Sequence, residues 1–510
     1  MAVHRRLMLA FGVAAVLCGC SVGPDYQPPE IELPTLFGTS SREIVSQETA
    51  PDPEIVRWWQ TLRDPELDRL IERAIACNPD LEIALTRVQA VRTQQIAVVS
   101  AALPSVEASG ALAQGTGNDM TKGRATPALR SATNSTSLSK INELGGFDSV
   151  WEIDFWGKYR RLLEAVRDSA QALAELRNAV LITVIGDVAM NYTNLRGFQL
   201  RLQIARNAVK AAQKTAELAQ ARFDRGLTNE LDVTLAKREL ATLQAQIPLL
   251  VAAIADEESR LALLVGTFSP DVIPELRAYR GLPHVPSRVR PGAPADLLRR
   301  RPDIRESERQ LAAATALIGV ATANLFPTIA LVGAAGLQGG EETSAAKKTP
   351  PLTSIWSFGP GAYWPVFDFG RLDALINVQE LAAHEALVNY KKTILAAVEE
   401  VDNAIKQYRA QQQRLRELRV ALEQARRAVT LATERYERGI TDFLNLLDAQ
   451  RAEYAIEDQA AIAQEALIIQ YIALYKALGG GWELYDALPP IKGTQPALAA
   501  AARRLADGWQ

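Results

Sequence analysis

The sequence predicts a mainly α-helical protein with a smaller β part, internally duplicated, in which long antiparallel helical hairpins contain most of the residues. Three observations lead to this fold class. They are a repeat with constant offsets, a long proline-free stretch of helix-forming residues in each copy, and a pair of Gly-, Ser- and aromatic-rich segments in each copy.

The repeat runs through most of the chain. Residues 222–238 ("RFDRGLTNELDVTLAKR") return at 435–451 ("RYERGITDFLNLLDAQR"), 213 residues later. Upstream, "NPDL" at Asn78 returns as "RPDI" at Arg301, 223 residues later, so ten residues are missing from one segment of the second copy. Because a fixed offset marks a duplicated structural unit, we predict two copies of one fold.

The repeat divides the chain into segments. We expect a signal peptide at 1–19, an N-terminal lipidated segment at 20–64, repeat 1 at 65–266, a proline-rich linker at 267–300, repeat 2 at 301–481 and a C-terminal tail at 482–510. Each repeat should contain a helix, a β-hairpin (about 102–156 and about 326–369) and a long helical hairpin.

The helical hairpins follow from composition. Residues 158–225 and 371–438 lack proline and are rich in Ala, Leu, Glu, Gln and Arg, which favour helix. At about 1.5 Å per residue each would form a helix about 100 Å long, which indicates a coiled-coil element. Return helices should follow at 229–265 and 442–478.

A tight turn should join the two helices of each hairpin. Arginine precedes a glycine suited to the left-handed stop, and threonine follows as the expected N-cap of the return helix. The residues of the two tips are Arg225, Gly226, Leu227 and Thr228, and Arg438, Gly439, Ile440 and Thr441.

The Gly-, Ser- and aromatic-rich segments are candidate membrane strands, since each is about 9–11 residues long. The candidate interfacial aromatic residues are Trp151, Trp156, Trp356, Tyr363 and Trp364. Four strands cannot close a barrel, because single-chain barrels begin at eight, so membrane strands would require an oligomer. A soluble β-hairpin domain is the alternative.

The N-terminus has the pattern of a secretory signal, with Arg5 and Arg6 before a short apolar run. "LCGC" then resembles a bacterial lipobox, which implies lipidation of Cys20, and Ser21 after it favours the outer membrane. An ordinary signal with an incidental cysteine is the alternative. Cys77 is the only other cysteine of the mature chain, so we expect it to be a small buried residue and no internal disulfide to form.

Composition and motifs exclude several classes. The 56 basic and 59 acidic residues give no indication of nucleic-acid binding. "HEALV" at His384 lacks the second histidine of a zinc helix, and neither a phosphate-binding glycine loop nor a nucleophile elbow occurs in the sequence. We therefore expect a protein that is not an enzyme and has no metal or cofactor.

The chain resembles the outer-membrane factors of tripartite (RND-type) efflux systems, of the OprM and TolC type, and within them the NodT-like efflux lipoproteins. The resemblance rests on residues 297–331 ("LLRRRPDIRESERQLAAATALIGVATANLFPTIAL"), 150–161 ("VWEIDFWGKYRR"), 435–451 and 20–30 ("CSVGPDYQPPE"). It implies a lipid-anchored homotrimer in the outer membrane that extends into the periplasm. Three protomers would share a twelve-stranded β-barrel and a periplasmic α-barrel, whose partners are outer-membrane lipids, a periplasmic adaptor and an inner-membrane pump.

The resemblance also implies a gate just after the turns. Leu444, Asp448 and Arg451 are spaced by four and three residues, so they share one helix face. They match the closing leucine of the family and the Asp and Arg beside it. In the first copy Leu231 and Arg238 keep two positions, and Asp232 is the available carboxylate. The alternative for Asp448 and Arg451 is an ordinary exposed pair.

Two further alternatives concern function and the tips. An outer-membrane channel for protein secretion shares this architecture, and a pore-less periplasmic coiled-coil scaffold lipoprotein belongs to another class. The tips would dock the adaptor, unless Gly226 and Gly439 serve only the turn.

Overall fold

The computed structural model describes residues 21–32, 34, 55–116, 138–268, 274–286, 289, 294–342 and 353–485. The helices within these ranges are α1 (Pro65–Cys77), α2 (Pro79–Ala101), α3 (Lys158–Asp224), α4 (Glu230–Leu264), α5 (Pro294–Arg300), α6 (Pro302–Ala323), α7 (Arg371–Glu437) and α8 (Phe443–Ala477). The strands are β1 (Ser105–Thr116), β2 (Leu138–Ile153), β3 (Thr328–Glu342) and β4 (Thr353–Tyr363). Short 3-10 helices occur at Trp58–Leu62, Pro274–Arg277 and Glu483–Tyr485.

The helices repeat with the offset found in the sequence. α3 and α7 each have 67 residues, and α4 and α8 each have 35. Each long helix packs along its return helix as an antiparallel hairpin. The predicted mainly α-helical fold with a β part is confirmed.

The repeated "NPD" and "RPD" motifs perform the same task in the two copies. Asn78 Nδ2 donates to the carbonyl of Leu264, the last residue of α4, at 2.9 Å. Arg301 Nη1 donates to the carbonyl of Ala477, the last residue of α8, at 2.7 Å. Different side chains thus satisfy the carbonyl that the end of each return helix leaves free.

The four strands form one antiparallel sheet in the order β1-β2-β3-β4. The pairing of β2 with β3 joins the hairpin of the first copy to that of the second. β1 to β4 contain 12, 16, 15 and 11 residues, so most strands are longer than the expected 9–11.

The main core lies where α1, α3, α7 and α8 meet the segment at 55–62, around the fully buried Trp58, Tyr192 and Tyr471. Cys77 does not join it: the prediction of a buried thiol is wrong, because α1 ends at this residue and leaves its side chain exposed. No helix in the described ranges has both the length and the apolar character needed to span a membrane.

Candidate functional site

Both hairpin tips have the same backbone geometry. Gly226 and Gly439 each adopt a φ of 71°, in the left-handed region that favours glycine. The amide of Leu227 donates to the carbonyl of Arg222, and that of Ile440 to Arg435, both at 2.9 Å. This is the Schellman pattern, in which an apolar residue after the glycine often packs back on the helix.

At these tips the apolar residue does not pack back. Leu227 is 62% exposed and Ile440 is 60% exposed. Arg225 and Arg438 are exposed beside them. Each tip therefore presents one aliphatic side chain and one guanidinium to the outside.

The predicted threonine N-caps are wrong by one residue. Asn229 is the N-cap of α4, and its side chain accepts from the amide of Asp232 at 3.1 Å. Asp442 holds the same position before α8 without a side-chain cap bond. Thr228 instead donates its hydroxyl proton to the carboxylate of Asp232, while the Thr441 hydroxyl accepts from Asn445. The turn needs one residue more after the glycine than the sequence pattern indicated.

The two tips lie side by side within one chain. Arg222 Nη1, at the end of α3, donates to the carbonyls of Tyr436 and Glu437 at 3.1 and 3.2 Å. An apolar cluster shared by both hairpins lies behind this contact: Ala216, Ala219, Val233, Ala236, Tyr436, Phe443, Leu446 and Leu447. The tips are therefore fixed to each other.

The candidate gate residues of the second copy lie on one exposed face of α8. Leu444 is 58% exposed, and Asp448 and Arg451 are also exposed. Arg451 Nε donates to Glu239 Oε2 on α4 at 2.7 Å, across the two hairpins. Asp448 has no ion-pair partner within 4.0 Å in the described parts of the chain. Its charge still adds, after the hydrogen bond and the charge of Glu239, to the raised pKa of Arg451, so the two side chains interact only at longer range. The sequence reading missed Glu239, because nothing in the repeat indicated it.

In the first copy, Leu231 is 60% exposed and Arg238 is exposed on α4. The carbonyl of Arg238 accepts from the hydroxyl of Thr242 at 2.9 Å, but the Arg238 side chain has no hydrogen bond or ion pair within the described residues. Asp232 accepts from the Thr228 hydroxyl through one carboxylate oxygen, so its other oxygen stays available to a further donor.

The sheet has two unlike faces. Alternation along the strands and the strand register assign one face seven apolar side chains: Val106, Phe147, Trp151, Leu331, Leu337, Trp356 and Phe358. The opposite face is mixed: it has the polar and charged side chains of Ser105, Glu107, Asp148, Glu152, Gln338 and Ser357 and a small apolar cluster of Leu144, Val332, Ala334 and Ile355. Trp356 and Phe358 are 76% and 73% exposed. Such alternation is typical of strands between lipid and a polar interior.

The candidate aromatic residues occupy one end of the sheet and the apolar face. The indole N–H groups of Trp151, Trp156 and Trp364 donate to the carbonyls of Ala102, Pro327 and Leu325 at 3.0, 2.8 and 2.9 Å, where the strands meet the helices. Trp356 lies on the apolar face, whereas the register puts Tyr363 on the opposite, mixed face.

Cys20 lies outside the described residues, but the residues after it are anchored at that junction. The amide of Val22 donates to the carbonyl of Trp156 at 3.1 Å. Arg161, buried on α3, donates to the carbonyl of Val22 at 3.2 Å and to Asp25 Oδ1 at 2.5 Å. The sequence reading did not identify Arg161 as the residue that binds "SVGPD".

The model of the family described as "Outer membrane efflux protein" matches residues 70–267 and 293–480. The chain belongs to this family. Nodulation protein T of Rhizobium leguminosarum bv. trifolii is 31% identical over 92% of this chain and 96% of its own. The pyoverdine export outer membrane protein OpmQ of Pseudomonas putida KT2440 is 32% identical over 95% of this chain and 99% of its own. The solved structure of the outer-membrane channel OprN superposes with a TM-score of 0.77 at 33% identity, covering 91% of this chain and all of that one.

Membership of the outer membrane efflux protein family confirms the resemblance found in the sequence. Because its relatives are outer membrane channel proteins, the expectation that the chain is not an enzyme is also confirmed.

Proposed function

We propose that the chain is the outer-membrane exit channel of a tripartite efflux pump for drugs or other small molecules. The observation that carries the proposal is the arrangement of two surfaces at opposite ends of the long helices. Helices of 67 residues, about 100 Å long, separate the sheet with its apolar face from the paired tips. A channel that crosses the outer membrane and reaches partners in the periplasm needs both surfaces at this separation.

The active form would be a homotrimer, and the repeat supports self-assembly. α6 packs against both α3 and α7, whereas its counterpart α2 packs along α3. Apolar positions of α7 are therefore left uncovered: Val378 is 55% exposed where its counterpart Ala165 is 3% exposed. Leu395 is 72% exposed where Ile182 is 6% exposed. α2 of a neighbouring protomer would cover this surface as α6 covers the equivalent surface of α3.

The same assembly would close the sheet. β1 and β4 are edge strands in the described structure, and four strands are too few for a barrel. Three copies would supply twelve strands, with β4 of each protomer beside β1 of the next. The apolar face, with Trp151 and Trp356, would contact lipid.

The gate would be formed by exposed residues that meet only after assembly. Leu444 and Leu231 would form an apolar ring near the tips. Neither Asp448 nor the Arg238 side chain forms an ion pair within 4.0 Å among the described residues of its own chain, since Arg451 is paired with Glu239. Their opposite charges suit them to pair between neighbouring protomers. Arg451 would hold the two hairpins of each chain together through Glu239.

The partners would lie at the two ends. Acyl chains on Cys20 would enter the outer membrane beside the aromatic junction, since Val22 is fixed there. A periplasmic adaptor, linked to an inner-membrane pump, would dock at the tips through Leu227 and Ile440, which give six similar grooves in a trimer.

Planar-bilayer recording of the purified protein tests this function. We expect discrete channels, and a strain lacking the protein should accumulate small toxic compounds while its secreted proteins stay unchanged. Absence of channels would support the pore-less scaffold instead. Loss of specific secreted proteins with unchanged accumulation would support a secretion channel.

A further inference from the structure

We infer that the trimer has two kinds of interface, or seam, between its helical hairpins. The seam within each chain is held by several side-chain pairs, whereas the seam between chains has almost none. The channel would therefore open between protomers. The inference rests on the proposed trimer. Each protomer would move as one rigid pair of hairpins.

Besides the tip contact of Arg222, five side-chain pairs hold the interface between the hairpins of one chain. One of them joins Lys476 Nζ on α8 to Asp187 Oδ1 on α3 at 3.5 Å. Arg201 on α3 donates to both carboxylate oxygens of Asp458 on α8, at 2.7 and 3.2 Å. The other three pairs are Arg451 with Glu239, Gln450 with Thr215, and Tyr454 with Gln246. They connect α8 to both helices of the first hairpin, so the two hairpins cannot separate without breaking them.

The repeat identifies the residues that face each other between chains. α3 and α7 correspond with an offset of 213, and so do α4 and α8. In a ring of six similar hairpins, α7 of one protomer meets α4 of the next as α3 meets α8 within the chain. The counterpart of Arg201 is therefore Arg414, and the counterpart of Asp458 is Ala245 of the neighbouring protomer.

Each of the five pairs loses a partner when the helices are replaced by their counterparts. Leu263 takes the place of Lys476, and in the other four pairs the replacement is alanine. At the corresponding positions of the other repeat, Ala245 stands for Asp458, Ala452 for Glu239, Ala428 for Thr215, and Ala241 for Tyr454. All four alanines are exposed in the single chain, as residues at an interface with a second copy would be. Arg414 is also exposed and has no partner in the described residues. An alanine methyl can neither accept nor donate the hydrogen bonds that the replaced side chains make.

One contact survives the exchange. Arg435 corresponds to Arg222, and Phe223 to Tyr436, so an aromatic ring and backbone carbonyls remain available at the tip. Both Arg435 and Phe223 are exposed in the single chain. The seam between chains would thus be held mainly at its tip and by the Asp448–Arg238 pair, which an adaptor could release without disturbing the seam within the chain.

Two matched crosslinks test the inference in the full-length lipidated protein with Cys77→Ser. Arg201→Cys with Asp458→Cys, linked by a short bis-maleimide, locks the seam within the chain. Arg414→Cys with Ala245→Cys locks the seam between chains. We expect the second pair to yield covalent trimers in denaturing gels and to abolish channel openings in bilayers, while the first yields monomers whose openings remain.

Introducing the missing carboxylate by substitution provides an independent test. Ala245→Asp copies the missing partner into the first repeat and should pair with Arg414, raising the temperature at which the trimer dissociates and lowering the opening frequency; Ala245→Asn is the control. Three results would each overturn the inference. They are a loss of openings after crosslinking within the chain, the absence of covalent trimers from the 414–245 pair, and an Ala245→Asp variant that behaves like Ala245→Asn. If the unlinked protein formed no channels at all, the proposed function would fail and the inference with it.

Discussion

The guanidinium of Arg222 lies over the ring of Tyr436, with its Cζ 4.8 Å from the ring centroid. The same side chain donates to the carbonyl of Tyr436 at 3.1 Å. A cation at this position neutralises the partial negative charge at the C-terminal end of α7, so the end of one long helix stabilises the end of the other.

Removal of this contact should loosen the end of α7. We expect Arg222→Ala to lose about 1–2 kcal/mol of local stability, since a charged hydrogen bond and a cation–π contact disappear together at a half-buried site. Hydrogen exchange of the amides of residues 434–440 should become roughly 5–30 times faster. Arg222→Lys, which keeps the charge, should give an intermediate rate, and unchanged exchange in both variants would contradict the role of the contact.

The gate should open when its apolar ring and its charge are weakened together. Leu444→Val combined with Asp448→Ala should leave expression and trimer formation intact, because both side chains are exposed in the chain. Single-channel conductance should rise, and cells should become sensitive to large antibiotics normally kept outside. Glu423→Ala on α7, an exposed residue outside the proposed gate, serves as the control. Unchanged conductance in the gate variant would mean that the gate lies elsewhere.

The tips should be within crosslinking distance of the adaptor. A cysteine at Thr228 or Thr441, next to the exposed Leu227 and Ile440, should crosslink to the adaptor in cells, whereas a cysteine at Ser357 in the sheet should not. An active pump without crosslinks from either tip would exclude docking there.

Lipidation should affect assembly more than final stability. Cys20→Ser should slow sorting or trimer formation, whereas the assembled trimer should keep its dissociation temperature, because residues 22–25 stay bound to Arg161 and one lipid anchor adds little to an inserted barrel. Pulse-chase analysis with denaturing gels measures both quantities. Mass spectrometry of the wild-type protein should show acyl groups on Cys20, and their absence would refute lipidation.

Stability should depend on pH through Glu465 of α8. Burial raises the pKa of its carboxyl group to about 7, with Glu257 and Asp458 adding to the shift and Arg201 opposing it. Because the folded protein holds this proton more tightly than the unfolded chain, stability should fall as pH rises from about 4.5 to about 7. Glu465→Gln removes the cost of ionisation, so its unfolding temperature should match the wild type near pH 4.5 and exceed it above pH 7. Thermal unfolding at several pH values checks this, with Glu423→Gln as the exposed control; parallel curves for wild type and Glu465→Gln would contradict it.

Much of the architecture is determined by local sequence signals. The duplication follows from comparing two distant stretches of sequence, whereas the two long helices, the left-handed glycines at Gly226 and Gly439 and the strand segments follow from residues within a few positions of one another. Helix propensity, glycine conformation and alternation act over such short distances, so a sequence pattern is enough to predict them.

The pairs that connect the hairpins were decided only by tertiary structure. Arg451 meets Glu239 and Arg222 meets Tyr436 across more than 200 residues of chain, and no local pattern links their positions. The exposure of Cys77 and the one-residue shift of the N-caps depend likewise on where neighbouring elements end. The packing of whole helices determines which side chains face each other. A sequence pattern therefore predicts the helices but not the contacts between them.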